Sequence, residues 1–276
     1  EVTVGAGLSI IDSNAFHGCG RLTIPELPDS LTQIGQHAFR HCGKLTEINI
    51  PPAVNNISSL AFDDCPNLKS IKVSEKNPTY ASDDGVLLNK AKQILYRFPP
   101  AKGGAYKVPE SVTQIGNYAF YRCPKLTSVD MPDGLTSIGN YAFRECAALG
   151  SASIPEKVTT LGSFAFASCP KLKSVQIPAG VKGIGSFVFQ GCKGLKSVEF
   201  HEKLTSIGQS AFQGCSALTG LLLPQQLTSI GNGAFQGCSR LTALTLPGKL
   251  AAIGKGAFKN CSGLTSLGIP DSVTTI

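Results

Sequence analysis

The chain repeats one short phrase, Ala-Phe-x-x-Cys, ten times in its 276 residues, with Val in place of Ala once. Within each of two groups the cysteines recur every 23 residues, and a 58-residue interval separates the groups. A fixed short period predicts a solenoid, because each unit is too small to bury its apolar face except against its neighbours. The ten cysteines are Cys19, Cys42, Cys65, Cys123, Cys146, Cys169, Cys192, Cys215, Cys238 and Cys261.

Each unit continues with a constant pattern after its cysteine. Leu follows at the third residue in every unit, apolar residues follow at the sixth and eighth, and Pro follows at the ninth in eight units. The alternation predicts a short strand with one buried face, which Pro ends because it lacks a backbone donor. The Ile-Gly pair that comes next predicts a turn in which Gly adopts positive φ. Ala, Phe and Cys then fit one or two turns of α- or 3₁₀-helix with an inward face.

Stacked coils of this kind predict a right-handed solenoid that is mostly β with short helical turns and has a parallel sheet on its concave face. A solenoid has no internal domain boundary, so residues 1–276 are predicted to form a single domain of ten 23-residue units. Eleven coils, counting an irregular one, would make a stack about 50 Å long at roughly 4.8 Å per coil. Both ends fall inside a repeat, and we therefore expect the sequence to be part of a longer protein.

The unit L-x-x-L-x-L-P…I-G-x-x-A-F-x-x-C resembles the BspA-type (Treponema-type) leucine-rich repeat of bacterial surface proteins. The resemblance covers nearly the whole chain. Pro25 replaces a strand residue, Asp12 and Ser58 replace Gly, and Ser74 and His201 replace Pro. The resemblance implies a leucine-rich-repeat solenoid and a non-enzymatic, secreted or cell-surface module that binds host or neighbouring-cell proteins.

One coil departs from the pattern. Residues 74–108 lack the Ala-Phe-x-x-Cys phrase and carry two apolar segments, 86–88 and 94–98, on either side of a polar turn. Two such segments predict a β-hairpin, and residues 106–108 are expected to resume the regular strand. The segment also resembles a recurring element of the same family, so we interpret it as a variant coil rather than an inserted domain.

The cysteines are interpreted as buried thiols and not as cross-links or metal ligands. Equivalent residues on adjacent coils lie about 4.8 Å apart with parallel Cα–Cβ bonds, whereas a disulfide needs Cβ atoms about 3.5–4.5 Å apart. Tetrahedral zinc requires ligands that converge on one point, and a column of single thiols does not converge in this way. The predicted core includes Phe39, Cys42, Phe120, Cys123, Phe166, Cys169, Phe212 and Cys215.

The sequence carries no motif for catalysis or for a cofactor: no phosphate-binding loop, zinc-protease helix or nucleophile elbow is present. His37 and His41 are four residues apart on a predicted helical turn and His17 lies one coil away, so a metal clamp is the alternative to solvent-facing histidines. A net charge of +7 without an Arg-rich stripe argues against nucleic-acid binding. No run of 18 apolar residues occurs, so no membrane insertion of this segment is predicted.

The outward positions of the predicted strands, five and seven residues after each cysteine, are mostly small and rich in hydroxyl groups. This face could offer a broad polar surface to a partner, or its small residues could relieve crowding on a flat sheet. The candidate residues on it are Glu26, Asn49, Lys72, Asp130, Gln176 and Glu199.

A second candidate surface lies five residues before the cysteine, where four consecutive coils carry an aromatic residue. Rings at one register predict a column, and Tyr suits interfaces because an apolar ring carries a hydrogen-bonding end. We interpret the column and the variant coil as a partner-binding region; the alternative is a self-stacking ladder that seals one flank. The candidate partner-binding residues are Tyr80, Tyr96, Tyr106, Tyr118, Tyr121, Tyr141, Phe164 and Phe187.

Three functions remain open from the sequence. The first is a monomeric adhesion module, extracellular or on the cell surface, that binds extracellular proteins and needs no cofactor. The second is a glycan-binding module, since sugars pack against exposed ring faces. The third is a structural spacer within a larger surface protein.

Overall fold

A computed structural model describes residues 4–23 and 26–276 of the chain. Ile24 and Pro25, at the start of the first predicted strand, lie outside the described residues. The chain winds into a β-solenoid of about eleven coils with parallel strands, which confirms the fold class predicted from the 23-residue period.

The first ladder, which we call the long-strand ladder, is formed by the residues that follow each cysteine. Each strand buries alternate residues, as when Val175 points inward between the exposed Ser174 and Gln176. The strands are β3 (Glu47–Ile50), β5 (Ser70–Val73), β9 (Gly104–Lys107), β11 (Leu126–Asp130), β13 (Ser151–Ala152), β15 (Ser174–Gln176), β17 (Ser197–Glu199), β19 (Gly220–Leu222) and β21 (Ala243–Thr245). Neighbouring strands pair in parallel within four separate sheets, β3-β5, β9-β11-β13, β15-β17 and β19-β21, so that Ser174 lies opposite Ser197, one period later.

A second parallel ladder, the short-strand ladder, runs along another side of the stack. Its two-residue strands end at the Ile, or in one coil at Leu161, that comes just before the predicted turn. The strands are β1 (Ile10–Ile11), β2 (Gln33–Ile34), β4 (Asn56–Ile57), β10 (Gln114–Ile115), β12 (Ser137–Ile138), β14 (Thr160–Leu161), β16 (Gly183–Ile184), β18 (Ser206–Ile207), β20 (Ser229–Ile230) and β22 (Ala252–Ile253).

Eight of these ten short strands are followed by glycine, and its role differs from the one predicted. None of these glycines has positive φ. A Cβ on Gly162 would lie 2.4 Å from both Asn140 N and Gly139 C of the preceding coil, and one on Gly254 would lie 2.3 Å from Asn232 N. Glycine is required at Gly162 and Gly254 because neighbouring coils approach too closely there for any side chain.

The Ala-Phe-x-x-Cys segment forms successive β-turns, so the prediction of α- or 3₁₀-helical turns was wrong. The Tyr121 N–H closes a turn onto Tyr118 O at 3.1 Å, whereas the Phe120 N–H donates to Ala142 O of the next coil at 2.7 Å. A helix cannot continue because residues in this segment adopt left-handed φ, as at Tyr118 (60°) and Arg122 (54°). Hydrogen bonds between coils therefore run along this third side as well.

The interior is a column of Phe rings beside a column of thiols. Ring centroids are 4.7 Å apart between Phe120 and Phe143 and 5.0 Å apart between Phe143 and Phe166. The Cys169 thiol donates to the Phe143 carbonyl of the preceding coil at 3.1 Å, a contact repeated along the stack. All eight residues predicted for the core are 0% exposed: Phe39, Cys42, Phe120, Cys123, Phe166, Cys169, Phe212 and Cys215.

The thiols are free, and nine of the ten are buried. Burial raises the pKa of the Cys65 thiol to about 12 and that of Cys42 to about 11. Cys19 is exposed, contrary to the prediction for all ten.

The variant coil begins as an antiparallel meander of β6 (Tyr80–Asp83), β7 (Val86–Asn89) and β8 (Ile94–Arg97). β7 and β8 pair around the turn where the sequence predicted a hairpin, and β6 is a further strand. β8 then joins the short-strand ladder beside β10, and β9 rejoins the long-strand ladder beside β11.

This coil divides the buried core into two clusters. One extends from Ile11 to Leu87 and the other from Val86 to Cys261. Phe98 enters the Phe column, with its ring centroid 5.1 Å from that of Phe120. The variant coil thus contributes a Phe ring to the Phe column although it lacks the Ala-Phe-x-x-Cys sequence.

Candidate functional site

Four aromatic side chains stack along one corner of the solenoid and form the aromatic column: Tyr118, Tyr141, Phe164 and Phe187. Successive ring centroids are 4.8, 4.8 and 4.4 Å apart, and successive planes differ by 2°, 6° and 3°. All four side chains are partly exposed. Because the rings cover one another's faces, the column presents ring edges to solvent, together with the hydroxyl groups of its two tyrosines.

The backbone under the column is strained. The four residues have φ between 58° and 62°, in the left-handed region that favours glycine. A bulky residue in this region costs about 1 kcal/mol or more. Later coils carry Ser210, Gly233 and Gly256 at the same register. Aromatic residues therefore occupy positions where smaller residues fold with less strain, and their stacking offsets part of the cost.

Arginines lie beside the column. The guanidinium carbon of Arg144 is 5.6 Å from the Tyr141 ring centroid and 5.5 Å from that of Phe164. That of Arg122 is 5.0 Å from the Tyr121 centroid. These distances fall within the range of cation–π attraction. Tyr and Arg are the residue types that most often dominate the energetics of protein interfaces.

Arg122 also belongs to an ion-pair cluster at the junction of the two core clusters. It pairs with Asp64 across the variant coil, and its Nε lies 2.8 Å from Glu145 Oε2. Arg40 Nη2 lies 3.2 Å from Asp64 Oδ2. Burial opposes ionisation of Asp64, but hydrogen bonds and charge from Arg122 outweigh it and hold the pKa of this carboxyl below its ordinary value of 3.8. The cluster therefore ties together coils that are 58 residues apart.

Replacement of this carboxylate should change the pH dependence of stability. With a lowered folded-state pKa, Asp64 stabilises the fold above the unfolded-state pKa, and this contribution is lost as the pH falls through the folded-state pKa. We expect Asp64→Asn to be less stable than the wild type at neutral pH and to lose less stability in acid. Urea unfolding at a series of pH values measures both effects. The exposed Asp133 offers a control, because Asp133→Asn should show the same dependence of stability on pH as the wild type. If Asp64→Asn also showed the wild-type dependence, the stabilising role of the Asp64 carboxylate would be contradicted.

The six tyrosines divide between interior and surface. Tyr80, Tyr106 and Tyr121 are less than 10% exposed. The Tyr80 hydroxyl accepts a hydrogen bond from Ile57 N at 3.0 Å, and Tyr106 packs against the Phe column. Burial raises the pKa of Tyr80 and of Tyr106, so both phenols stay protonated. These three side chains have little surface for a partner, and the partly exposed tyrosines are Tyr96, Tyr118 and Tyr141.

The outward face of the long-strand ladder is exposed, as its register predicts. Lys72 Nζ lies 2.9 Å from Glu47 Oε1 on the neighbouring strand, so this lysine has a cross-strand partner. Leu222 is 91% exposed on the same face and was not among the candidates, although an apolar residue at an outward position was a visible signal. The predicted candidates on this face are all exposed: Glu26, Asn49, Lys72, Asp130, Gln176 and Glu199.

Two of the histidines considered as metal ligands, His17 and His41, stack on each other at the surface with centroids 5.3 Å apart. Burial and the charge of Arg40 lower the pKa of His37. Within residues 4–23 and 26–276, no group of three or more His, Cys, Asp or Glu side chains could hold a metal ion. The same described residues contain no helix of the length and apolar character needed to cross a bilayer.

The repeat described as BspA type Leucine rich repeat region matches the chain in six copies, over residues 1–84, 104–219 and 159–276. The chain belongs to the BspA-type leucine-rich repeat family. This finding confirms the resemblance seen in the repeat. The matches of the BspA-type repeat leave out residues 85–103, in the middle of the variant coil. Among curated proteins, no sequence matches the chain.

Solved structures of bacterial leucine-rich repeat proteins are similar to this BspA-type chain. A leucine-rich repeat protein from Eubacterium ventriosum is 29% identical, with a TM-score of 0.85 over 95% of this chain and 70% of that chain. A leucine rich cell surface protein from Faecalibacterium prausnitzii is 28% identical, with a TM-score of 0.58 over 93% and 62%. The pneumococcal vaccine antigen PcpA is 23% identical, with a TM-score of 0.56 over 98% and 71%, a likeness of fold alone. The BspA-type solenoid is typical of interaction scaffolds that present an extended surface to a partner.

Proposed function

We propose that this BspA-type chain is a non-catalytic module that binds extracellular proteins through the aromatic column and the arginines beside it. The observation that carries the proposal is the presence of four aromatic residues in succession at left-handed backbone positions. The fold does not require aromatic residues at this register, because the coils that carry Ser210, Gly233 and Gly256 there form the same turns.

The chemistry of the column suits a protein partner. Stacked rings form a rigid apolar edge that loses little conformational entropy on binding, and tyrosine hydroxyls at one end add hydrogen-bonding groups. Arg144 and Arg122 lie next to the rings, where each is also held by an ion pair with Glu145. Tyr and Arg are enriched among the hot-spot residues that cluster near the centre of protein interfaces.

We place the module outside the cell or on its surface, as a monomer. Membership of the BspA-type family supports this location, and the similar F. prausnitzii protein is described as a cell surface protein. The burial of nine thiols is compatible with an oxidising environment, because buried thiols react slowly.

Glycan binding and a spacer role are the alternatives. A sugar packs against an exposed ring face, but the inner faces of the column are covered by neighbouring rings at 4.4–4.8 Å. The geometry therefore favours a protein over a glycan. A spacer would need no exposed column at all, and the backbone strain at these positions would then bring no advantage.

The proposal predicts that Tyr118→Ser combined with Tyr141→Ser weakens partner binding. We expect wild-type chain to bind saturably to at least one protein in an immobilised panel of extracellular-matrix proteins at physiological salt. The double variant should bind that protein at least about tenfold more weakly, since central hot-spot tyrosines contribute most of an interface's affinity. Surface plasmon resonance gives the affinities.

A matched double variant on the long-strand ladder provides the control. Gln176→Ser with Glu199→Ser also removes two exposed side chains and should leave the affinity unchanged. If the control loses affinity and the column variant keeps it, the long-strand face is the binding site and the column is not. Binding to glycans but to no protein would favour the glycan-binding function, and no binding at all would favour a spacer. Thermal unfolding of each variant verifies that loss of binding is not loss of fold.

A further inference from the structure

Arg97 is a cation in the interior of the stack. It precedes Phe98, which occupies the Phe column, so it takes the position that Ala holds before Phe in almost every other coil. Its side chain is 2% exposed. A buried arginine is costly unless its donors are paired, since the guanidinium loses its hydration.

The donors of Arg97 are only partly used. Its Nη1 donates to Tyr118 O at 2.8 Å, but Nε and Nη2 are buried and have no hydrogen-bond partner among the described residues. No described carboxylate lies within ion-pair distance of it. The other buried charge near this junction, Asp63, lies 3.4 Å from Arg40 Nε. Arg97 thus keeps an edge of its guanidinium unpaired, although five donors in a rigid fork are available.

Arg97 lines a cleft of about 510 Å³ at the end of β8, along the short-strand ladder. A volume of this size accommodates a small molecule or the end of a peptide. Isoleucine side chains and the rings of Tyr80 and Tyr96 supply its apolar walls, and Arg97 is the one charged residue among those that line it. The walls therefore combine a single buried cation with an apolar lining.

Two asparagines add donors to the same cleft. Asn117 and Asn140 line it, and each uses its Oδ1 to accept a backbone hydrogen bond from the next coil, at 2.8 and 2.7 Å respectively. This leaves their Nδ2 groups as donors. Together with Arg97 they offer donors to a ligand that carries acceptors, beside the hydroxyls of Ser137 and Thr160, which can donate or accept.

We infer that this cleft binds a ligand with a carboxylate group and a small apolar body. The planar guanidinium of Arg97 matches the two oxygens of a carboxylate, and a charge-assisted bidentate pair would satisfy donors that are otherwise unpaired. The apolar body would lie against Tyr96 and the isoleucines. The carboxylate belongs either to a free organic acid or to the C-terminus of a peptide. This site is separate from the aromatic column, and the inference does not depend on the proposed function.

Titration with benzoate and with its neutral analogue benzamide tests the inference, with amide chemical shifts and calorimetry as readouts. We expect benzoate to shift the amides of β8, β10 and β12 in wild-type chain. Benzamide should bind at least about tenfold more weakly, because charge-assisted hydrogen bonds are the stronger ones. A second pair, an acetylated tripeptide that ends in Phe and its C-terminal amide, distinguishes the sources: preference for the tripeptide acid over benzoate assigns the site to a peptide terminus, and the reverse assigns it to a free acid.

Two variants decide the role of Arg97. Arg97→Met keeps the aliphatic stem and should reduce benzoate affinity at least about tenfold, whereas Arg240→Met, at an exposed arginine, should not change it. Should Arg97→Met unfold, Ser137→Phe serves instead, because it keeps Arg97 and fills the cleft, and it should abolish the shifts. Equal benzoate binding by wild type and by a folded cleft variant would overturn the inference. So would the absence of any shift in the cleft at about 10 mM benzoate, since a functional site binds more tightly than that.

Discussion

Phe166→Ala is expected to destabilise the solenoid by roughly 3–5 kcal/mol, the range for removing a fully buried Phe. Phe166 is 0% exposed and lies between the rings of Phe143 and Phe189, at 5.0 and 5.6 Å. Its loss would open a gap in the Phe column that the coils cannot close, because hydrogen bonds between coils on three sides fix their spacing. Urea unfolding monitored by circular dichroism measures the change.

Phe164, two residues earlier, is a matched control. It is partly exposed in the aromatic column and has left-handed φ, so Phe164→Ala removes stacking contacts worth about 1 kcal/mol without leaving a buried cavity. A loss at Phe164 equal to or larger than that at Phe166 would show that the Phe column is not the main source of cohesion between coils.

Gly162→Ala should also be strongly destabilising, by about 1–3 kcal/mol or more, although it adds only one methyl group. That methyl would lie 2.4 Å from backbone atoms of the preceding coil, and a backbone held in two ladders cannot move aside as a flexible side chain can. The same measurement of unfolding free energy applies. We expect a lower midpoint and, because the strain is local to one pair of coils, no change in the fold of distant coils.

Gly150 provides the comparison for this substitution. It lacks positive φ, and a Cβ there would lie no closer than 3.8 Å from its nearest neighbour, Thr127 O. Gly150→Ala should therefore be neutral or stabilise the chain by about 0.4–1 kcal/mol, since Ala restricts the unfolded chain more than Gly does. Destabilisation of similar size at both glycines would mean that close approach between coils is not the reason for Gly162.

The repeat register predicted the architecture because each of its signals is local. Apolar residues recur at fixed positions after each cysteine, and most coils bury the same ones, although Leu264, Leu267 and Ile269 of the last coil do not become buried. Period, strand position and core residues therefore followed from the sequence directly. The stacked rings of Tyr118 and Tyr141 followed from the same register, because equal positions on adjacent coils must lie about one strand spacing apart.

What the sequence did not reveal depends on contacts between coils. The spacing of Ala, Phe and Cys is compatible with a helix, and the glycines one residue before cysteine, such as Gly191 and Gly214, were the available sign of left-handed backbone. The role of Gly162 could not be predicted, because the atoms that exclude its Cβ belong to the preceding coil.

The candidate site was only partly predictable for a similar reason. Tyr80, Tyr106 and Tyr121 have the composition of surface aromatics but are buried. Tyr106 packs against Phe98 of the variant coil, and the Tyr121 ring lies edge-on to that of Tyr118. The position of Arg97 within the repeat could be assigned only from the structure, where Phe98 lies in the Phe column, because this coil has no cysteine to mark it.

The column of buried thiols affects what happens to this protein after it unfolds. In the folded chain the thiols are separated, capped by carbonyls and held protonated by burial, as at Cys65. Unfolding in an oxidising medium would release nine buried thiols at once, free to form mismatched disulfides whose cross-links forbid the 23-residue stacking. The lifetime of the protein outside a cell would then be set by how rarely it opens, a kinetic quantity, and not by the balance between folded and unfolded chains.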